Sequence, residues 1–398
     1  MNRAAINAMF NSFLHPAQLT TILRNGLRLP FKEHPDKMHL EAAIDWLCNS
    51  QDKSGCGGSS ASYGFDHGWA PPYPETTGYI ISTFLRYSLL VKDEKFIDRA
   101  IRMGDWEIDI QLPSGAVRGG VGINDFPIVF NTGMVTLGWA DLYRHTGDGR
   151  YLSAAVKAAD WLCSVMEEDG RWIKYSYQGI PHAYHSRVSW SLLEVYRITE
   201  NSKYRDAALR NITWILSLVR ENGWIQEMGF AGEVAPFTHT IAYTLRGLLE
   251  CSAFFDEELK IRIRNVVIKA AGEIVSVYDA IHSGAKTKFI LLPGNLDSGW
   301  QSSARFSCLT GNAQMAIIWL KIFQINGDPR FLHAAKKILA QLKKVHNLDS
   351  ANPGIRGGIA GSYPIWGSYM QFSYPNWAAK FFADALMLQG KIISEIEH

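Results

Sequence analysis

Acidic side chains that could carry chemistry occur in the long, glycine-rich segments of this sequence. The first segment, GCGGSSASYGFDHGWAPPYPETTGY, contains Asp66 and places Glu75 directly before an apolar stretch. Two separated carboxylates can act as general acid and as base or nucleophile on a glycosidic bond. We therefore predict Glu75 and Asp66 as the acid and the base. Further candidates from later segments are Asp125, Asp297 and His239.

Aromatic rings and hydrogen-bonding side chains accompany these acids in the same segments. The faces of Trp and Tyr can stack on the C–H side of a pyranose ring, while polar groups between them bind the hydroxyls. Arginine would recognise the charge of a uronate or a phosphate. The predicted substrate-binding residues are Tyr63, His67, Trp69, Tyr73, Arg118, His185, Arg187, Trp300, Arg356, Tyr363, Trp366, Tyr374 and Asn376.

The same residue types suit a second reaction. A Tyr or His base beside Arg or Asn can remove the C5 proton of a uronic acid, because the neighbouring group neutralises the sugar carboxylate. Lyases and C5-epimerases share this step. Structural roles also stay open: Glu75 has the position of a first-turn dipole partner, and Arg118 and Arg356 precede Gly-Gly, where each could hold loop carbonyls.

A repeated pair of helices must position these segments. Trp46, Trp106, Trp161 and Trp214 mark equivalent points on successive polar helices, at a period of about 55 residues that is typical of repeat architectures. Each polar helix alternates with a stretch such as YIISTFLRYSLLV, which is apolar nearly all round and therefore predicted to be buried on both sides. Six such pairs predict an all-α fold, the (α/α)6 toroid, with an inner barrel wrapped by an outer one.

The connections between the predicted helices differ sharply in length. Inner-to-outer connections are short polar turns such as TGDGRY. Outer-to-inner connections are long and span Asp52–Glu75, Leu112–Asn131, Glu167–His185, Glu221–Phe237, Asp279–Ser302 and Asn347–Asn376. All long loops must then lie at one end of the ring, above the N-termini of the inner helices, which favour anionic groups. We predict the functional site at that end, and ring closure makes the first and sixth loops neighbours.

Composition and charge narrow the class of function. The net charge of +2 over 398 residues gives no basic stripe, so nucleic acid is not an expected partner. His182 and His185 lack a third ligand nearby, and none of the five cysteines forms a metal-ligand spacing. We therefore expect no metal and no other cofactor. The expected partner is an oligo- or polysaccharide, and the sequence leaves the oligomeric state open.

The sequence also predicts the domain boundaries and the cellular location of the protein. Residues 1–39 are predicted as an N-terminal extension with a first helix, and residues 40–398 as a single toroid domain, since no linker interrupts the repeat. No stretch reaches the roughly 18 apolar residues needed to span a bilayer. The N-terminal segment lacks the apolar core and cleavage site of a signal peptide. A cytoplasmic protein is the expectation.

Together with WLCNSQDKSGCGG at Trp46–Gly58, the repeat resembles two groups of α/α toroids. One is the six-hairpin glycosidase-like group of unsaturated glucuronyl hydrolases, sugar epimerases and some uronate lyases. The other contains terpenoid cyclases and protein prenyltransferases, but the sequence has neither DxDD nor DDxxD and lacks the zinc-binding set of the prenyltransferases. The sequence therefore lacks the reactive groups that terpenoid or prenyl chemistry needs.

Nearly the whole chain, and residues 357–386 above all, is similar to bacterial proteins encoded in exopolysaccharide biosynthesis clusters. This resemblance implies a role in making or modifying a polysaccharide, with a lipid-linked precursor as one form of the substrate. It carries no catalytic residues to transfer. A non-catalytic toroid that binds glycans remains an alternative to the enzyme.

Overall fold

The chain forms two concentric layers of helices in the computed structural model, which describes residues 15–232, 234–284 and 290–397. Glu233 of the fourth long loop and residues 1–14 of the predicted N-terminal extension lie outside the described residues. A first helix, α1 (Pro16–Gly26), precedes the repeat. The outer helices are α2 (Asp36–Lys53), α4 (Lys95–Asp109), α6 (Gly149–Ser164), α8 (Ser202–Ser217), α10 (Glu257–Gly284) and α12 (Pro329–Val345). The inner helices are α3 (Pro74–Val91), α5 (Val129–Thr146), α7 (Ser186–Thr199), α9 (Thr238–Cys251), α11 (Leu309–Asn326) and α13 (Asn376–Glu397).

The inner helices close into a ring. Each packs against the next along the chain, and α13 packs against both α3 and α2. Their burial follows the sequence pattern, because α11 is buried on all faces through most of its length whereas α4 buries one stripe that includes Phe96, Ala100, Met103 and Trp106. The predicted (α/α)6 toroid is confirmed.

Glycines allow the backbones of neighbouring inner helices to touch. A Cβ added to Gly78 on α3 would lie 2.5 Å from the Cα of Val135 on α5. A Cβ added to Gly138 on α5 would lie 2.3 Å from the carbonyl oxygen of Gly78. Both distances are too short for a real contact, so any side chain here would push the two helices apart.

Long loops gather at one end of the ring and are joined by short strands. In the first sheet, β1 (Ser62–Gly64) lies between β2 (Gly68–Trp69) and β5 (Ser373–Pro375), and all pairs are antiparallel. In the second sheet, β3 (Ser307–Cys308) pairs with β4 (Ser362–Tyr363). The β1–β5 pairing makes the first and sixth loops neighbours, as the repeat predicts.

Ion pairs connect the inner helices farther from the loops. Arg86 on α3 bonds Asp384 on α13 at 3.0 Å, and Lys321 on α11 bonds Glu250 on α9 at 2.6 Å. Asp141 on α5 and Glu194 on α7 both pair with Arg144. These four inner-barrel carboxylates therefore all have cationic partners. Within the described residues, no helix combines the length and the apolar character needed to cross a membrane.

Candidate active site

One position recurs at the loop end of the ring, namely the second residue of each inner helix. These residues are Glu75, Phe130, Arg187, His239, Thr310 and Trp377. Tyr243 connects two of them: its ring centroid lies 5.1 Å from that of Phe130 and 4.3 Å from that of His239. We refer to the cluster of Tyr73, Glu75, Arg187, His239 and Tyr243 at this end of the ring as the central basin.

Glu75 is held by the start of α3. Tyr73 is the extended residue before the helix and Pro74 takes the first helical position, which suits a fixed φ and needs no N–H partner. The Tyr73 hydroxyl donates a hydrogen bond to Oε2 of Glu75. Burial raises the pKa of Glu75 to about 7, although the Tyr73 bond and the charge of Arg187 act in the opposite direction. Near neutral pH the carboxyl therefore exists in both protonation states.

Arg187, at the start of α7, is a buried cation. Its side chain is 3% exposed, and its guanidinium lies 4.7 Å from the ring centroid of Tyr243. Nε donates to the sulfur of Met134 at 3.3 Å. Within the described residues, no carboxylate forms an ion pair with Arg187 and its two terminal nitrogens have no hydrogen-bond partner. Burial lowers the pKa of Arg187, but a guanidinium stays charged in proteins. The basin thus holds a cation without a directly bonded carboxylate, and Glu75 is a carboxyl group whose pKa this cation lowers.

His239, at the start of α9, is neutral. Burial, and to a lesser extent the charge of Arg187, lowers its pKa to about 3. The side-chain amide of Gln314 on α11 donates to Nδ1 of His239 over 2.7 Å. The neutral ring then carries its proton on Nε2, so His239 offers a hydrogen-bond donor rather than an ionisable acid at neutral pH.

Aromatic residues complete the lining, and sequence reasoning missed most of them. Tyr73 packs edge-on against Trp377 at 6.2 Å, and the indole N–H of Trp377 donates to the hydroxyl of Tyr369 at 2.8 Å. Tyr243 lies one turn after His239 on α9 and is not among the residues predicted from the sequence. The second-residue position would have identified Trp377 and Phe130, and the one-turn spacing from His239 would have identified Tyr243.

The other predicted acids lie elsewhere in the long loops. Asp66 is in the turn between β1 and β2, bonded to the ring of adjacent His67 at 2.5 Å, and its charge is not among those that shift the pKa of Glu75. Asp125 is 94% exposed and pairs with Arg118. Asp297 accepts hydrogen bonds from the backbone N–H groups of two residues in its own loop, each at 2.9 Å. The structure therefore brings only one of the four predicted carboxylates into the basin.

The other predicted arginines are also outside the basin. Arg118 donates to the backbone carbonyls of Ile110 and Asn124, so it fastens the second loop. Arg356 is exposed and lines a cleft of about 580 Å³ between α2 and the sixth loop, on the outer face of the toroid. Of the predicted cations, Arg187 alone lies beside Glu75.

Several predicted stacking residues instead pack the loops together. Trp69 lies against Trp46 of the outer barrel at 5.1 Å, and the Tyr63 hydroxyl accepts from the amide of Asn352 at 2.8 Å. Trp300 is 5% exposed, and its indole N–H donates to the carbonyl of Asn222 at 3.1 Å. These rings stabilise the rim.

The remaining predicted binding residues belong to the third and sixth loops. Tyr374 is buried against Phe65, and Asn376 is fully buried with its amide bonded to loop one. His185 is buried beside Trp172. Two residues are more accessible, Tyr363 in β4 and Trp366, which is 39% exposed. Within the described part of the chain, no group of three or more His, Cys, Asp or Glu side chains could hold a metal ion.

Comparisons with known proteins agree with this architecture. The chain is similar to solved structures of an unsaturated glucuronyl hydrolase specific for heparin, with a TM-score of 0.69 and 16% identity over 90% of this chain and 98% of that one. The unsaturated glucuronyl hydrolase of Bacillus sp. GL1, responsible for the degradation of glycosaminoglycan, gives 0.67 and 15% identity over 88% and 96% of the two chains. Cellobiose 2-epimerase of Bacillus thermoamylovorans gives 0.67 and 13% identity over 88% and 97%. These likenesses show the (α/α)6-toroid fold.

A family model adds a match in sequence. Residues 123–253 match the model described as beta-L-arabinofuranosidase, GH127 catalytic domain. This match covers about a third of the chain, from the second long loop to the end of α9, and includes Arg187 and His239. A search of curated proteins gave no match.

Proposed function

We propose that this protein is an acid/base enzyme acting on a uronic-acid sugar of an oligo- or polysaccharide, with Glu75 transferring the proton. The observation that carries the proposal is Arg187, a buried cation without a carboxylate partner beside an acid whose pKa is about 7. A sugar carboxylate would supply such a partner. The family model and the fold neighbours support a carbohydrate substrate.

Proton transfer at C5 of the uronate fits the basin best. Ionised Glu75 takes the C5 proton, and the C–H electron pair spreads into the sugar carboxylate, whose growing negative charge Arg187 stabilises. In epimerisation the pair returns to C5 with a proton that water delivers to the opposite face, and Glu75 releases its proton to solvent. In elimination the pair expels the oxygen substituent on the neighbouring carbon, which leaves as an alcohol with the proton taken up by Glu75. His239 donates its Nε2 proton as a hydrogen bond to a sugar oxygen.

Hydrolysis of a glycosidic bond is the second candidate, favoured by the family model of a glycosidase. Protonated Glu75 would then be the general acid for the leaving sugar. Among the described residues, the basin offers no second carboxylate as base or nucleophile, since the four acids deeper in the inner barrel are all ion-paired. Because hydrolysis needs a second carboxylate, we place it behind proton transfer at C5 as the proposed reaction.

The direction of the pH dependence separates the two reactions. If Glu75 acts as a base, kcat/KM rises with pH through about 7, because the ionised form is needed; if it acts as an acid, kcat/KM falls through the same range. Uronate oligosaccharides incubated in heavy water and analysed by mass spectrometry identify the product directly. Epimerisation incorporates deuterium at C5, elimination gives an unsaturated sugar, and hydrolysis gives two shorter saccharides.

Matched variants test the assignment of Glu75. Glu75→Gln should abolish turnover while oligosaccharide binding persists, whereas Asp66→Asn, a carboxylate change at the same rim but outside the basin, should leave turnover intact. Equal loss in both variants would contradict the role of Glu75. Unchanged polymer production in Glu75→Gln, with no product detected from the unaltered protein, would support the non-catalytic glycan-binding alternative instead.

The finer identity of the substrate rests on the resemblance to proteins of exopolysaccharide clusters. That resemblance supports an acidic polysaccharide, or its lipid-linked precursor, as the substrate during synthesis of the polymer. Neighbouring genes for glycosyltransferases and polymer export would strengthen this assignment.

A further inference from the structure

Helix α1 is packed with polar side chains inward. Its buried residues are Gln18, Thr21 and Asn25. Asn25 accepts a hydrogen bond from the backbone N–H of Ile365 at 2.8 Å, and Gln18 donates to the Tyr63 hydroxyl at 3.4 Å. The helix is therefore fastened through polar groups to the first and sixth loops. Ala17 and Ile22 are also partly buried against the core. The inner side of the helix is therefore a mixture of polar and apolar groups, whereas a surface helix usually buries an apolar stripe.

Large apolar side chains are exposed on the outer side of α1 and just after it. Leu23 is 54% exposed, Leu27 69% and Leu29 45%. Trp366 of the sixth loop is 39% exposed and continues this surface, because its ring lies 3.8 Å from where a Cβ of Gly26 would be. We name Leu23, Leu27, Leu29 and Trp366 the α1 patch. A contiguous exposed apolar surface of this kind marks an interaction site.

Basic side chains surround the α1 patch. Arg24, Arg28 and Lys32 lie within and directly after the helix, and in the described residues none of the three forms an ion pair. The first 32 residues of the sequence contain no Asp or Glu, although the whole chain carries a net charge of only +2. Arg24 also lies over the ring of Phe31 at 5.0 Å, and the next acid in the sequence, Glu33, pairs with Lys344. The surface is thus apolar and cationic.

We propose that the α1 patch docks on the surface of an anionic phospholipid bilayer. Leucine and tryptophan side chains flanked by arginine and lysine are typical of helices that lie in the membrane interface, where the apolar groups enter the acyl boundary and the cations meet lipid phosphates. The unpaired cations favour this partner over an uncharged protein surface. Because α1 lies on loops of the basin's rim, docking brings the mouth of the basin close to the bilayer. The proposal stands independently of the reaction at Glu75.

Co-sedimentation with vesicles tests the proposal on the full chain. The probes are vesicles of phosphatidylcholine mixed with phosphatidylglycerol, and vesicles of phosphatidylcholine alone. We expect binding to the mixed vesicles that weakens as salt rises. The double variant Leu23→Ser, Leu27→Ser should reduce the partition coefficient by about tenfold or more. Arg24→Gln with Arg28→Gln should weaken binding to the mixed vesicles selectively.

The matched control lies at the other end of the toroid. Leu89 and Leu90, near the end of α3, are 67% and 57% exposed, so Leu89→Ser with Leu90→Ser removes similar apolar surface and should leave binding unaltered. Absence of vesicle binding, or an equal effect of both double variants, would overturn the proposal. So would analytical ultracentrifugation showing that the α1 patch variant converts a dimer to a monomer, since a second copy would then be the occupant. Circular dichroism checks that each variant is folded.

Discussion

Replacing Glu75 with glutamine should stabilise the protein at alkaline pH and change little in mild acid. Burial raises the pKa of Glu75 from 4.5 to about 7. The folded state therefore holds this proton more tightly than the unfolded chain, and wild-type stability must fall as pH rises between the two pKa values. Glutamine has the same shape, keeps an acceptor for the Tyr73 hydroxyl and does not titrate, so the variant lacks this loss.

The size of the effect follows from the pKa difference. One pKa unit corresponds to about 1.4 kcal/mol, so full ionisation of Glu75 costs the fold about 3 kcal/mol. The wild-type protein should lose about 2 to 3 kcal/mol of this unfolding free energy as the pH rises from about 5 to about 8.5. The free energy of unfolding of Glu75→Gln, relative to wild type, should increase by that amount over the interval.

Urea unfolding followed by tryptophan fluorescence measures this difference at the two pH values. A difference between wild type and Glu75→Gln that stays constant with pH would refute the buried, proton-binding state of Glu75. It would also remove the basis for its role in proton transfer.

Three further predictions concern the charge, the packing and the acid stability of the toroid. Arg187→Met removes a charge that lowers the pKa of Glu75, so the midpoint of the kcat/KM pH profile should move upward, and an unmoved midpoint would show that the two groups do not interact. Gly311→Ala places a Cβ 2.7 Å from the backbone nitrogen at the start of α9. This variant should lose about 2 kcal/mol or more of unfolding free energy. A melting temperature equal to that of the wild type would contradict this prediction. Burial lowers the pKa of His39 to about 4 and that of His346 to about 3, so unfolded imidazoles bind protons first and stability falls below about pH 6.5. His39→Gln should reduce that fall by about 3 kcal/mol between about pH 7 and pH 4, and unfolding curves of unchanged acid sensitivity would contradict it.

The fold was predictable because its causes are local and repeated. Alternating half-apolar and fully apolar helices fix two layers, and the unequal loop lengths place all long connections at one end. Glu75, Arg187 and His239 could be selected because each stands at the start of an apolar helix, beneath a long loop. Their positions follow from helix geometry alone.

The rest of the site depends on contacts between loops, which a periodic pattern does not specify. Trp300 and Arg118 have the same residue types as ligand-binding groups, but their partners are the carbonyls of Asn222 and Asn124, brought close only by tertiary packing. Tyr243 is the opposite case. It lies within an apolar helix, as a core residue would, but its ring contacts the guanidinium of Arg187 in the central basin. Whether such a side chain packs the loops or lines the basin depends on its burial and on its hydrogen-bond and ring partners.

Equilibrium binding of a glucuronate-containing disaccharide and of its uncharged glucose counterpart tests the central claim most directly. Titration calorimetry should show that the unaltered protein binds the acidic sugar about tenfold or more tightly than the neutral one. In Arg187→Met this preference should disappear while affinity for the neutral sugar persists. Equal affinity for both sugars in the unaltered protein, or a preference that survives in Arg187→Met, would contradict a uronate site in the central basin.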